Sequence, residues 1–302
     1  MMTDTVAVGS DVLARQRVAV GASLSALCAR SLDAVSPRIA DAIRYSLLGE
    51  GKRMRGTLLL SAYEAAGGRG DAADLAAAIE VVHAYSLVHD DLPCMDDDDV
   101  RRGRPTVHKV FGVGTATAAG LAMVPLAARC AAEASFALGL DESTTSAIVV
   151  DLMRASGGGG MIGGQLLDLE GEGRPLGLND LEQIHRAKTG ALITAAATLG
   201  GRAACTTAER LHALSTYGAA VGLAFQIADD VLDVTATTDQ LGKTAGRDLA
   251  LQKSTYPAVL GIDGAKSRAD ALIREGCDAL DSVGLLTPAL AQIARFTVER
   301  TS

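Results

Sequence analysis

Apolar residues recur at three- and four-residue spacing along nearly the whole chain, and no stretch alternates for long between apolar and polar. In a helix, positions i, i+3 and i+4 share a face, whereas a half-buried strand repeats every second residue. Composition agrees with the helical period. Of 302 residues, 54 are alanine, the best helix former, and only 7 are proline. A 48% hydrophobic content over this length supplies a substantial core and excludes a disordered chain. No Pro/Ser linker, composition shift or fixed-period repeat divides the sequence. Residues 1–302 are therefore expected to form one all-α domain.

Periodicity and glycine breaks predict helices over 11–30, 41–48 and 55–66, the last ending at Gly67-Gly68. Asp71 is a candidate cap for the next, in which Leu75, Ala78, Ile79, Val82, Leu87 and Val88 line one side. Thr115 to Gly139 is almost uniformly apolar, so that helix is expected to be buried on all sides. Further helices are expected at 142–155, 161–169, 179–199, 207–234, 254–262, 265–282 and 287–299, with a break at Gly200-Gly201.

The formal charge of -8 disfavours a protein that neutralises nucleic-acid phosphates. Cys28, Cys94, Cys130, Cys205 and Cys277 are odd in number and contain no C-x-x-C pair, which argues for a reducing compartment without disulfides or structural zinc. No apolar run reaches the ~18 residues of a membrane span. Met1 to Ser10 lacks the basic-then-apolar order of a secretory signal, so the cytoplasm is the expected location.

Two acidic clusters carry the chemistry. Asp90, Asp91, Asp96, Asp97, Asp98 and Asp99 follow an apolar helical stretch and are followed at once by Arg101, Arg102 and Arg104. Hard divalent cations such as Mg²⁺ take oxygen ligands and bridge carboxylates to substrate phosphates. The second cluster, FQIADDVLD, sets Gln226, Asp229, Asp230 and Asp233 as one polar stripe on an otherwise apolar helix. Carboxylates that repel one another on such a helix are costly unless a cation balances them. One D-D-x-x-D is a weak signal. Two in one all-α chain can hold several Mg²⁺ ions around a diphosphate and neutralise a leaving group.

With these motifs the sequence resembles the trans-prenyltransferases, the isoprenyl diphosphate synthases, from about Arg44 to Leu260. DDLPCMDDDDVRRGRP carries two extra residues between the second and third key Asp. GKRMR at 51–55, AIEVVHAYSLVHDD at 78–91, GGQLLDL at 163–169, AKTG at 187–190, DDVLD and LGKTAGRDL at 241–249 follow in order. The stretch HAYSLVHDDLPCMDDDDVRRG is similar to bacterial farnesyl diphosphate synthases, and PCMD with HKVFG to geranylgeranyl diphosphate synthases.

The resemblance implies a single large helical domain of the isoprenoid synthase type around a central apolar cavity, usually a homodimer. It implies head-to-tail 1'-4 condensation of isopentenyl diphosphate with dimethylallyl, geranyl or farnesyl diphosphate. The allylic diphosphate ionises, the isopentenyl double bond attacks, and a proton is lost to pyrophosphate. Asp90, Asp91 and Asp96 on one wall and Asp229, Asp230 and Asp233 on the other would hold Mg²⁺, three ions per site, with Mn²⁺ as a substitute. Arg101, Lys188, Thr189, Gln226, Lys243 and Lys253 would bind the allylic diphosphate. Lys52, Arg55, His83 and Arg102 would bind isopentenyl diphosphate. Arg offers forked donors to phosphate and Lys a point charge.

Taken singly these residues read differently. Lys52, Arg53 and Arg55 resemble a solvated basic turn, His83 a packed histidine, and Lys188 and Lys243 surface lysines. Gly157–Gly164 lacks the ending of a nucleotide P-loop and reads as close helix packing or a bend. Cys94 reads as incidental. Two departures stand out: Gly56 where the family usually has Pro, and Leu121 where it commonly has Asp.

A class I terpene cyclase would carry one Asp-rich motif with an Asn/Ser/Glu motif, and a non-catalytic prenyltransferase subunit typically lacks one Asp motif. Both motifs are intact here, which favours an active prenyltransferase making farnesyl diphosphate, with geranylgeranyl diphosphate as the alternative. In the family the residue five before the first Asp often floors the product pocket. Here it is Tyr85, with Ser86 beside it. A ring there stops growth near C15. Ser86 lies nearer the Asp90 face of the helix, so the role of Tyr85 rests on the resemblance.

Overall fold

The computed structural model describes residues 2–235 and 254–299. Helices α1 (Met2–Ser31), α2 (Pro37–Leu47), α3 (Met54–Ala65) and α4 (Ala73–Asp90) come first. A two-residue-strand hairpin, β1 (Val100–Arg101) with β2 (Arg104–Pro105), leads into α5 (Val107–Phe111) and α6 (Val113–Ala137). Then follow α7 (Glu142–Ser156), α8 (Met161–Gly171), α9 (Leu178–His185), a π-helical turn (Arg186–Gly190), α10 (Ala191–Ala203) and α11 (Ala208–Thr235). After the undescribed stretch come α12 (Tyr256–Asp281) and α13 (Pro288–Glu299).

Helix α4 is the central element. Leu75, Ala76, Ala77, Ala78, Ile79, Val81 and Val82 are all fully buried, so it is enclosed on every side by α1, α3 and α6. Such burial suits a helix hydrophobic all round. Its N-cap is Ala72 rather than the expected Asp71, which stands one residue earlier and accepts from the Ala73 N–H through Oδ1 at 2.9 Å. Helix α2 starts at Pro37 rather than at 41, because proline is tolerated in a first helical turn where its missing donor has no intrahelical partner.

Four expectations are corrected. Helix α6 is not buried all round: Leu121 is 61% exposed and Phe136 57% exposed, so its apolar outer face has no cover among the described residues. Gly200 and Gly201 do not end α10. A Cβ on Gly200 would overlap the backbone of α3 at the Leu59 carbonyl, so this glycine permits a close crossing. The expected helix 179–199 is interrupted by the π turn, whereas the two expected helices 254–262 and 265–282 are present as the two arms of α12, separated by non-helical Gly261 (φ 72°). Finally, α6 and α11 are long and apolar enough by length and composition to cross a membrane, although counting uninterrupted apolar runs found no such segment. Their most apolar windows are 39% and 56% buried inside the protein.

Gly200→Ala should destabilise the protein by roughly 1–3 kcal/mol through overpacking at the α3–α10 crossing. Gly21→Ala, in a helix interior with open space around the Cα, should stabilise it by up to about 1 kcal/mol. Thermal unfolding followed by circular dichroism checks both, and a Gly200→Ala midpoint at or above wild type would contradict the crossing.

Candidate active site

Helix α4 ends at Asp90, and the chain folds straight back on it. The Asp96 N–H donates to the Asp90 carbonyl at 2.8 Å and the Asp97 N–H to the Leu92 carbonyl at 3.1 Å. This closed turn accommodates the two extra residues of the first motif and returns Asp96 to the end of the helix. Asp90 is pushed up to about 6, first by burial, with Asp96 and Asp91 adding repulsion and Lys188 and Arg101 opposing it. Asp91 is buried and held by Arg101, whose Nε and Nη2 donate to its Oδ1 at 2.9 and 2.5 Å. Arg101 also reaches Asp98 at 3.1 Å.

The hairpin aims the next arginine. Its two-residue turn, Arg102-Gly103, has positive φ at both positions (53° and 71°), the geometry of a tight antiparallel hairpin. From there Arg102 donates to the Glu50 carbonyl at 3.0 Å and faces His83 Nε2 at 3.5 Å. Arg has no acceptor, so His83 presents a bare Nε2 to it. Burial, reinforced by Arg55, Arg102, Arg101 and Arg53, holds His83 well below the usual imidazole range and keeps it neutral.

Arg55, on the first turn of α3, is lowered to about 10 by burial, with Glu80 and Asp229 opposing the shift and Arg102 adding to it. It remains cationic at neutral pH and ties the basic group to the second Asp motif. Glu80 anchors this side: buried on α4, it accepts from the Gly56 N–H at 2.9 Å. A proline at 56 could not make that bond. Lys52 lies with its ammonium 5.2 Å from the Phe296 ring.

On α11, Asp229 and Gln226 are half-buried and Asp230 and Asp233 buried. Asp230 Oδ2 accepts from the Tyr256 N–H at 2.9 Å and stands 3.4 Å from His185 Nε2. The His185 ring stacks on Tyr256 at 5.7 Å. Lys188 and Thr189 come from the π turn, a rare element that is frequent at functional sites. A Cβ on Gly164 would overlap the Lys188 backbone, so the Gly-rich segment serves close packing against this turn. Lys188 donates to Asp168 Oδ2 at 2.6 Å.

Asp168, Glu80 and His185 were not singled out from sequence. Asp168 lies inside GGQLLDL and Glu80 inside AIEVVHAYSLVHDD, and both carried that signal, whereas His185 read as an ordinary helix position. Lys243 and Lys253 lie outside the described residues. Leu121 stands on the exposed face of α6, and Cys94 is exposed. Asp97, Asp99 and His108 have ligand atoms within 4.8 Å of one another, but the Lys109 ammonium already neutralises Asp99 at 2.6 Å. The site offers hard oxygen donors on α4 and α11 facing fixed cations, a donor set that suits Mg²⁺ and a polyanionic substrate rather than a soft metal.

Residues 36–283 match the family model described as polyprenyl synthetase, and the chain belongs to that family of prenyltransferases. It is 44% identical over 267 residues to farnesyl diphosphate synthase of Escherichia coli, covering 87% of this chain and 89% of that protein. It is likewise 44% identical over 246 residues to geranylgeranyl pyrophosphate synthase 12 of Arabidopsis thaliana, covering 80% and 68%. Among solved structures, geranyltransferase from Helicobacter pylori complexed with magnesium and isoprenyl diphosphate superposes with a TM-score of 0.80 at 31% identity, covering 95% and 96% of the two chains.

Because Asp90 is raised when folded, its ionisation destabilises the metal-free protein as pH rises from about 4 to about 6. In a chelator at pH 7.5, Asp90→Asn should therefore be more stable than wild type by up to about 3 kcal/mol. The difference should vanish near pH 4. Equal melting temperatures across that range would show that Asp90 carries no such strain.

Proposed function

We propose that this short-chain trans-prenyltransferase condenses isopentenyl diphosphate with dimethylallyl or geranyl diphosphate, and that farnesyl diphosphate is its main product. The observation that carries the reading is the convergence of Asp90 with Lys188, and of Arg55 with Asp229, Arg102 and His83. Two cationic groups facing two carboxylate groups match two diphosphates bridged by divalent cations. On this reading 1–302 is one synthase domain, and a cytoplasmic location accords with five free cysteines. The uncovered apolar face of α6, at Val113, Leu121 and Phe136, supports a homodimer.

Asp90, Asp91, Asp96, Asp229, Asp230 and Asp233 would hold Mg²⁺, with three ions in the site, Asp91 and Asp230 through the oxygen not bonded inward. Bound there, the metal supplies charge neutralisation to the leaving diphosphate. Asp91 and Asp230, each bonded inward, set the orientation of the neighbouring carboxylate rather than offering both oxygens outward. Lys188, steadied by Asp168, and Thr189 and Gln226 would take the allylic diphosphate together with Lys243 and Lys253. Arg55, Arg102, Lys52 and neutral His83 would take isopentenyl diphosphate. Neutral His83 faces the Arg102 guanidinium through Nε2, so it would orient that group without adding charge. Cations held in place before substrate arrives need little reorganisation during ionisation of the allylic substrate.

Purified protein given Mg²⁺, isopentenyl diphosphate and each allylic primer should form prenyl alcohols after dephosphorylation. EDTA should abolish this, and Asp90→Ala or Asp229→Ala should lower turnover by roughly 10²-fold or more with helical content retained. Full turnover in excess EDTA would overturn the reading.

Tyr85 is buried one and a half turns below Asp90, the depth expected of a ring that closes the product pocket. Tyr85→Ala should lengthen the products by at least one C5 unit. A distribution unchanged from wild type would remove Tyr85 as the floor.

A further inference from the structure

A floor made by one aromatic ring stops a growing chain only if the ring cannot swing aside. Tyr85 and His89 are four residues apart on α4 and therefore share a face. Their ring centroids are 5.0 Å apart at an interplanar angle of 75°, an edge-to-face contact. His89 is itself anchored: its Nε2 lies 3.2 Å from the Thr117 carbonyl on α6. A carbonyl only accepts, so the proton is on Nε2.

What makes room for this anchor is Gly120. A Cβ at that position would overlap the His89 imidazole at Nε2, Cδ2 and Cε1. The ring thus fills the space of a missing side chain on the neighbouring helix. It is confined by the α6 backbone on one side and by Tyr85 on the other.

We infer that His89 is a positioning residue for product length: wedged into the gap at Gly120 and bonded to Thr117, its ring props Tyr85 in the closed position. The inference rests on the reading of Tyr85 as floor. It adds that chain length is set by a pair of rings on α4 and one glycine on α6.

The test compares products of the full-length enzyme with Mg²⁺, isopentenyl diphosphate and geranyl diphosphate. His89→Gln keeps a donor for the Thr117 carbonyl, and with it the tie between the helices, but removes the ring. Its C20-to-C15 ratio should rise several-fold while helical content and melting temperature stay close to wild type. His89→Phe keeps a ring edge against Tyr85 and should restore wild-type products. In Tyr85→Ala/His89→Gln the ratio should rise no further than in Tyr85→Ala alone, since His89 acts through Tyr85. Wild-type products from His89→Gln, lengthening by His89→Phe, or additive effects in the double variant would each overturn the inference while Tyr85→Ala still lengthens products. No shift in Tyr85→Ala would instead remove the floor.

Discussion

Negative charge gathered at the ends of apolar helices is the constraint around which the rest of the molecule is organised. Carboxylates at the end of α4 and along α11 cannot be left unbalanced in a low-dielectric setting. Each meets a different counterweight. Arg101 grips Asp91, the Tyr256 amide and His185 hold Asp230, Lys188 faces Asp90, and Arg55 faces Asp229. Those partners come from the hairpin, the start of α12, the π turn and α3. Much of the irregular backbone therefore exists where a charge has to be answered. Asp90 remains incompletely compensated, as its raised titration records, and an additional cation would be most strongly favoured there.

The helical architecture was legible because periodicity and glycine punctuation report local preference directly. Helix ends were read to within a few residues, as at Asp71, one residue before the N-cap of α4, and at Gly67. Misreadings share a cause: glycine has two uses. At 67 and 139 it ends a helix with positive φ, whereas at 200 it sits mid-helix so that another backbone can approach. Local sequence does not distinguish the two, because the reason for the second lies on a different helix. The same holds for the outer face of α6, where an apolar stretch said nothing about which side would be left uncovered.

The site was legible at the level of residue types and less so at the level of roles. Carboxylates and arginines announced themselves by clustering. Division of labour within each pair did not: Asp90 and Asp91 are adjacent and identical, yet one faces Lys188 and the other is locked to Arg101. His185, with no neighbour of its own kind, stayed hidden because a lone polar residue in a helix has no pattern. The left-handed backbone at Arg102 was equally silent, since arginine has no preference for that region.

The bond between Gly56 and Glu80 has a mechanical side. Without a side chain at 56, α1 lies close enough that a Cβ there would come within 3.0 Å of both Val20 methyl groups. The first turn of α3, which carries Arg55, is thus clamped between a buried carboxylate on α4 and an aliphatic contact on α1. Helix α1 contributes no candidate ligand to the site, yet its tilt sets the room in which Arg55 is held. Small repacking on the outer layer would accordingly register as a shift of the Arg55 guanidinium, so natural variation along α1 can retune a half-buried cation on the next helix without altering any of its polar partners.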